Sequence, residues 1–104
     1  MKADLVLVSC VKSKVDHPAP AKDLYMRSAW FRKARAYAEH HGKKWFVLSA
    51  AHGLIHPDEV TDPYDVTLNG ASVEFRSKWA NLVDRQLREL KERRQQRELP
   101  SGDR

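Results

Sequence analysis

The chain has 104 residues and a mass of 12.0 kDa, which leaves room for one hydrophobic core and excludes a multidomain protein. Its hydrophobic share of 41% suffices for that core, and no apolar run approaches the roughly 20 residues that cross a membrane. The N-terminus lacks the apolar stretch of a signal peptide, so we expect a cytoplasmic protein with no membrane partner. The single cysteine, Cys10, excludes an intrachain disulfide.

The net charge of +5 is distributed unevenly along the chain. Residues 1–49 carry a net +6, residues 50–75 carry five acids and no base, and residues 76–104 carry a net +4. An acidic centre between basic flanks favours a central site whose flanks attract a polyanion such as nucleic acid. A solvated basic surface without a partner would give the same pattern.

The first half of the chain predicts a strand, a helix and a second strand. Residues 3–9 and 44–50 form short apolar runs of the kind found in buried parallel strands. Between them, a proline-containing loop over 11–22 precedes a helix over 24–41, with Ser28 as a candidate N-cap. Strand, helix and strand in this order predict a βαβ unit and therefore an α/β fold with parallel strands.

The second half predicts an irregular segment followed by a long helix. Residues 51–70 contain glycines and prolines without a helical or strand period, and apolar residues at helical spacing then predict an amphipathic helix over 72–98. We expect one domain over 1–98 and a flexible tail over 99–104. Two strands make a small sheet. A further strand at 53–56 or 66–68 would extend it, and so would a homodimer or another partner that completes the sheet.

The segments that follow the two strands are expected to share one crevice, because open α/β sheets bind ligands at the carboxyl ends of their strands. Ser9, Lys12 and Lys14 follow the first strand, and their hydroxyl and ammonium groups suit a phosphate or carboxylate. The lysines would also activate the Cys10 thiol as a nucleophile. A small buried cysteine at the end of a strand is the structural alternative.

Ser49, His52 and Gly53 lie in a turn of small residues after the second strand. Small residues allow a ligand to approach the backbone, and histidine acts as an acid or base near neutral pH, so His52 is a candidate catalytic residue. A histidine that hydrogen-bonds a carbonyl in a tight loop is the alternative. No metal site is expected at His52 and His56, because Gly53 and Pro57 disfavour the helix that such a pair requires, and no cofactor is expected.

Tyr64 and Asp65 follow Pro63 in the acidic segment. A flat ring for stacking beside a carboxylate for proton transfer suits a nucleobase ligand. The alternative is a plain turn in which Tyr64 packs on the core. At the start of the first helix, Tyr25 and Ser28 are candidates to complete an anion pocket.

The first helix also carries a basic stripe that is a candidate nucleic-acid-binding surface. Its members are Arg32, Lys33 and Arg35. A solvated helix face often has the same composition.

Four segments of the chain, in this order, resemble a small and largely uncharacterised bacterial and phage α/β family of the DUF6884 type. They are Ser9-Cys10-x-Lys12-x-Lys14, Leu24-Tyr25-x-x-Ser28-x-x-Phe31, Ser49-Ala50-Ala51-His52-Gly53-Leu54 after the apolar run from Trp45, and Pro63-Tyr64-Asp65-Val66-Thr67-Leu68. The likeness covers residues 5–83. The stretch from His52 to Tyr64 is also similar to peroxide-stress-response DNA-binding proteins, and the Cys10 to Ser28 spacing resembles a domain of archaeosine synthase.

The resemblance implies an α/β domain associated with nucleic acids or modified bases, of the fold used by uracil-DNA-glycosylase-like enzymes. Relatives continue after the long helix into a third apolar strand, whereas this chain continues into the polar residues 95–104. We therefore expect that strand to be missing, which leaves two alternatives, a trimmed domain or a domain that a partner completes.

Residues and resemblance together favour a nucleic-acid-associated domain that processes a nucleobase, at an N-glycosidic bond or an exocyclic position. Ser9, Lys12 and Lys14 would hold phosphate, Tyr64 would stack on the base, and His52, Asp65 and Cys10 would carry the chemistry. Two alternatives stay open at this point. One is a DNA- or RNA-binding module without catalysis, and the other is an enzyme that acts on free nucleotides or nucleosides.

Overall fold

The structure, a computed structural model, describes residues 2–98, with side chains through Arg93 in the last helix. The predicted tail over 99–104 lies outside the described residues. The elements, in chain order, are β1 (Val6–Ser9), β2 (Ala19–Pro20), α1 (Ala21–Leu24), α2 (Ala29–His41), β3 (Trp45–Ser49), β4 (Gly53–Ile55), β5 (Val60–Thr61) and α3 (Val73–Glu98). The range combines helices with a sheet that contains both a parallel and an antiparallel strand pair, which confirms the predicted α/β fold.

The main sheet has the strand order β1-β3-β4. β1 and β3 are parallel, with Val8 opposite Val47, so the predicted parallel pair is confirmed. The sheet is extended by β4, at the first of the two places that the sequence left open, 53–56 and 66–68. This strand runs antiparallel to β3 and places Leu54 opposite Leu48. Residues 66–68 form no strand.

Gly53 makes the tight return from β3 to β4 possible. It has a φ of +70°, a left-handed conformation that side chains with a Cβ rarely adopt. A Cβ on Gly53 would also lie 2.3 Å from the Gln86 side-chain oxygen, so a larger residue here would displace the Gln86 amide from the Leu54 N–H.

The predicted helix over 24–41 is wrong at its N-terminal end. The structure has a short helix α1, a turn over 25–27, and then α2 from Ala29. Ser28 is extended and its Oγ accepts the Phe31 N–H at 3.1 Å, so the serine caps α2 instead of lying inside a longer helix. The predicted loop over 11–22 is also more regular than expected, because its end forms β2, which pairs antiparallel with β5.

The hydrophobic core lies between α1, α2 and the sheet. Its largest fully buried side chains include Tyr25, Phe31, Leu24, Ile55 and Val47. The Tyr25 and Phe31 rings pack with centroids 5.0 Å apart. This cluster holds the carboxyl ends of β1 and β3 in a rigid frame, and the candidate site forms there.

Helix α3 packs more lightly, because no side chain between residues 73 and 93 is fully buried. Trp79 Nε1 donates to the Ser49 carbonyl at 2.8 Å, and Gln86 Oε1 accepts the Leu54 N–H at 2.8 Å. Gln86 therefore satisfies the open edge of β4 with a side-chain amide, where a further strand would otherwise pair. Within residues 2–98, no helix has the length and apolar character needed to span a membrane.

Candidate functional site

A cavity of about 400 Å³ lies at the carboxyl ends of β1 and β3, and we call it the strand-end cavity. It brings together five residues that the sequence singled out, namely Ser9, Cys10, Lys12, Lys14 and Asp65. The remaining lining residues are Val11, Ala50, Val66, Thr67, Leu68 and Asn69. Ligand sites in open α/β sheets form at this edge, because the loops that follow neighbouring strands meet there.

The cavity carries an excess of positive charge. Lys12 and Lys14 contribute two ammonium groups, and Asp65 contributes one carboxylate. Lys14 Nζ donates to the Lys12 carbonyl at 3.2 Å and lies 4.5 Å from the centroid of the Tyr64 ring, so a cation–π contact helps to position it. The arrangement suits an anionic ligand.

Cys10 lies half-buried where β1 enters the cavity. Its backbone N–H continues the pairing with β3 by donating to the Leu48 carbonyl at 2.9 Å. Its Sγ accepts the Ala50 N–H at 3.3 Å. These contacts tie the thiol to the turn after β3, on the cavity wall.

Three hydroxyl groups form a hydrogen-bonded chain between the end of β3 and the turn after α1, and we call it the Ser49–Tyr64–Tyr25 relay. Ser49 Oγ accepts the N–H groups of Ala51 and His52 at 3.1 and 3.2 Å. Backbone N–H groups only donate, so Ser49 directs its own hydrogen to the Tyr64 hydroxyl at 2.8 Å. The Tyr64 hydroxyl in turn bonds the Tyr25 hydroxyl.

The relay tyrosines are held in the neutral form. Burial raises the pKa of Tyr25 to about 12, although its hydrogen bond with Tyr64 opposes this shift. Burial also raises the pKa of Tyr64, against the lowering effect of its hydrogen bond with Ser49. The Tyr64 hydroxyl is thus committed to an internal hydrogen bond, whereas its ring remains partly exposed beside Lys14.

His52 lies outside the set of described residues that line the strand-end cavity. Its exposed ring packs edge-on against Tyr64, with centroids 5.5 Å apart, and Nε2 lies 3.4 Å from Thr61 Oγ1. The structure therefore brings Asp65 and Cys10 to the cavity and places His52 outside it, against the Tyr64 ring. Of the other candidates, Tyr25 is fully buried and Ser28 caps α2. Gly53 lies in the tight turn between β3 and β4.

The basic stripe of α2 is divided between solvent and the protein interior. Lys33 and Arg32 are exposed, and Arg32 donates to the Met26 carbonyl at 2.7 Å. The Arg35 side chain is only 19% exposed, because its guanidinium group pairs with Asp23 at 3.1 Å and with Glu39 at 3.4 Å. Arg35 thus connects α1 to α2 and presents little charge to solvent.

Sequence reasoning missed several residues that shape the site. Val66, Leu68 and Asn69 line the cavity although they form neither a helix nor a strand. The only signal for Val66 and Leu68 was their place in the fourth motif segment, and Asn69 lies just after it. Trp79 and Gln86 anchor the turn after β3 from α3. No local pattern identifies such contacts, since the partners lie 30 or more residues apart.

Metal ligands do not cluster in the described part of the chain. Among those residues, no group of three or more histidine, cysteine, aspartate or glutamate side chains is placed to hold an ion. The strand-end cavity itself is lined by two lysines and one carboxylate.

Comparison with known proteins places the chain in a family. A model of a family of unknown function, DUF6884, matches residues 5–101. The chain belongs to this family. It is also similar to the uncharacterized protein YfjM of Bacillus subtilis (strain 168), with 32% identity over 92 residues. That alignment covers 82% of this chain and 59% of the relative, so the chain spans less than two thirds of the relative's length. No solved structure matches the chain.

The DUF6884 match confirms the family expected from the four motif segments, all of which lie within the matched residues.

Proposed function

We propose that this DUF6884 domain binds one nucleotide unit of a nucleic acid in the strand-end cavity and processes its base. The observation that carries the proposal is the lining of the cavity, in which two lysines and one carboxylate surround a space of about 400 Å³ with apolar walls. Spaces of about 300–1,000 Å³ are typical of small-molecule sites. Anionic and flat apolar parts occur together in a nucleotide.

The phosphate is assigned to Lys12 and Lys14. Both lysines lie on the loop that leaves β1 and line the cavity together with Ser9, and Lys14 Nζ is positioned over the Tyr64 ring. Lysines hold phosphate as point charges and do not require a glycine-rich loop. This loop therefore supplies the anion-binding part of the site.

The base is assigned to the wall formed by residues 65–69. Val66 and Leu68 offer apolar contact, and Asp65 and Asn69 offer hydrogen-bonding groups for the edge of a base. A carboxylate at this position accepts a proton from an attacking water or stabilises positive charge that develops on a sugar. Asp65 is thus the principal acid–base group in the proposal, and a base would reach it by leaving its stack.

Substitution of Asp65 tests the chemical step. We expect Asp65→Asn to lower turnover of an oligonucleotide at least about 100-fold, measured by mass spectrometry as base loss or mass change, because general acid–base groups contribute about 10²–10⁴-fold. Asp62→Asn removes an exposed carboxylate three residues away and is the matched control. Equal turnover in the two variants would contradict the role of Asp65.

Substitution of the lysines tests the binding step. We expect Lys12→Met and Lys14→Met each to weaken oligonucleotide binding and to reduce the slope of log affinity against log salt concentration by about 0.7–0.9. Lys78→Met removes the same charge from an exposed position on α3 and should leave that slope within error of the original. Equal slopes in all three variants would show that the cavity lysines do not hold phosphate.

A second candidate function is a nucleic-acid-binding module without catalysis. The position of His52 outside the cavity favours it, because the remaining cavity groups provide fewer proton donors and acceptors. Oligonucleotide binding that depends on Lys12 and Lys14, without any mass change in the oligonucleotide, would support this candidate over the first.

A further inference from the structure

A second and larger cavity, of about 590 Å³, lies at the opposite end of β3, and we call it the basic groove. It forms where α1, the end of α2, the first residues of β3, the turn after β4 and α3 meet. Its lining residues are Lys22, Glu39, Lys43, Lys44, Trp45, Phe46, His56, Pro57, Asp58, Leu90 and Arg93. It shares no lining residue with the strand-end cavity.

Both carboxylates of the basic groove are already compensated by cations. Asp58 pairs with Lys22 at 2.9 Å, and this contact lowers the pKa of Asp58 and raises that of Lys22. Glu39 pairs with Arg35 at 3.4 Å. The acidic groups therefore do little to cancel the other charges of the groove.

Those other charges are positive. Lys44 and Arg93 are exposed and approach the groove from the start of β3 and from α3. Lys43 is exposed as well and faces Asp4 across 3.5 Å, a surface pair that solvent weakens. Together they give the groove the electrostatic character of a polyanion-binding site.

The groove also exposes aromatic surface next to these charges. Trp45 and Phe46 are partly exposed at the beginning of β3. The His56 ring contacts Phe46 edge to face, with centroids 5.7 Å apart, and Leu90 adds apolar surface from α3. Aromatic side chains flanked by cations are the combination on which unpaired bases stack while the backbone is held by charge.

We propose that the basic groove binds a single-stranded segment of nucleic acid, with phosphates at Lys43, Lys44 and Arg93 and bases on Trp45 and Phe46. Single strands are favoured over duplexes, because bases must be unpaired to reach partly buried rings. This inference extends the proposed function: the strand-end cavity takes the base to be processed, and the basic groove retains the strand.

Paired charge reversals test the groove. Fluorescence anisotropy measures the affinity for a labelled single strand of about 12 nucleotides. This length lies within the range that single-strand sites cover. We expect Lys44→Glu with Arg93→Glu to weaken binding about 10-fold or more. Arg76→Glu with Lys78→Glu reverses the same number of exposed charges elsewhere on α3 and should change affinity less than about 3-fold.

Photocrosslinking tests the aromatic contacts without altering the protein. An oligonucleotide that carries 5-iodouracil is irradiated in the complex, and the crosslinked peptide is identified by mass spectrometry. We expect crosslinks at Trp45 or Phe46. Crosslinks confined to Trp30, which is 55% exposed on α2, would overturn the assignment. Equal weakening by both charge-reversal pairs, or competition by polyglutamate as strong as that by a single strand, would overturn it as well.

The same measurements separate this inference from the proposed function. Binding that is lost in the groove variant and kept in Lys12→Glu with Lys14→Glu supports the groove and contradicts the strand-end cavity. The reverse result contradicts the groove and supports the cavity. A chain that binds no single strand overturns both.

Discussion

Helices α2 and α3 begin in the same way and are buried to different depths. Each starts after a serine whose Oγ accepts the N–H three residues later, at 3.1 Å for Ser28 and 3.0 Å for Ser72. Helix α2 then buries Phe31 and Ala38 completely, whereas no described side chain of α3 through residue 93 is fully buried. Local signals specify a helix and its start, but they do not specify how much partner surface the helix finds.

The difference follows from what each helix covers. Helix α2 follows β1 and packs against it, so its apolar side meets the core formed by β1 and β3. Helix α3 packs against β4, a strand of three residues at the edge of the sheet. An edge strand of that length offers little apolar area, and hydrogen bonds from Trp79 and Gln86 supplement it.

Truncation of one phenylalanine in each helix gives the largest expected contrast. We expect Phe31→Ala to lower the free energy of unfolding by about 3–5 kcal/mol, because the side chain is fully buried. Phe75→Ala should cost less than about 1 kcal/mol, because its side chain is 41% exposed. Urea denaturation measures both, with Phe31→Leu as the milder variant if Phe31→Ala does not fold. Similar losses at the two sites would refute the contrast.

Alkaline pH is expected to lower the free energy of unfolding, because Tyr25 of the relay is buried as a neutral phenol. The pKa of Tyr25 is raised to about 12 in the folded chain, so folding favours the protonated phenol. The stabilisation is complete below about pH 10 and is lost as pH rises towards about 12, at about 1.4 kcal/mol per pH unit.

Urea denaturation at about pH 8 and about pH 11 measures this loss. Tyr25→Phe should reduce the dependence and leave the part that Tyr64 contributes, whereas Tyr37→Phe, at an exposed position of α2, should retain all of it. A dependence that is unchanged in Tyr25→Phe would assign the loss to other groups.

Removal of the Gln86 amide tests what ties α3 to the sheet, and the expected effect is the smallest. Gln86→Ala leaves the Leu54 N–H without its acceptor and should cost about 1 kcal/mol of unfolding free energy. It should also speed hydrogen exchange of the Leu54 amide. Asn81→Ala, at an exposed position of the same helix, is the control and should change neither quantity. Unchanged exchange in Gln86→Ala would mean that other contacts hold α3 in place.

The fold was predictable where the evidence was local. The apolar runs at 3–9 and 44–50 identified β1 and β3, and spacing identified both long helices. The break before Ala29 was missed because Ser28 competes with the helix for the Phe31 N–H. The short strands β2 and β5 were not identified, and β4 was only one of two alternatives, since two or three residues carry no measurable period.

The position of the candidate site could be predicted from the sequence, but which side chains line it could be predicted only in part. The rule that ligands bind at the carboxyl ends of strands anticipated that Ser9, Lys12 and Asp65 would meet. It did not anticipate that His52 would face Thr61 or that the Tyr64 hydroxyl would bond Tyr25. Side-chain directions in the turn after β3 depend on the φ of Gly53 and on contacts with α3, which sequence spacing does not reveal.

By itself, the sequence determined the α/β class, the parallel pair, Ser28 as a helix cap and the family, because periodicity, capping and motif order are read directly from the order of residues. Only the tertiary structure decided which side chains line each cavity, how the relay is connected and how lightly α3 is buried. Those properties depend on packing between distant segments, as between Tyr25 and Tyr64, which lie 39 residues apart and share one hydrogen bond. Their geometry is set by the core as a whole and not by any one stretch of chain.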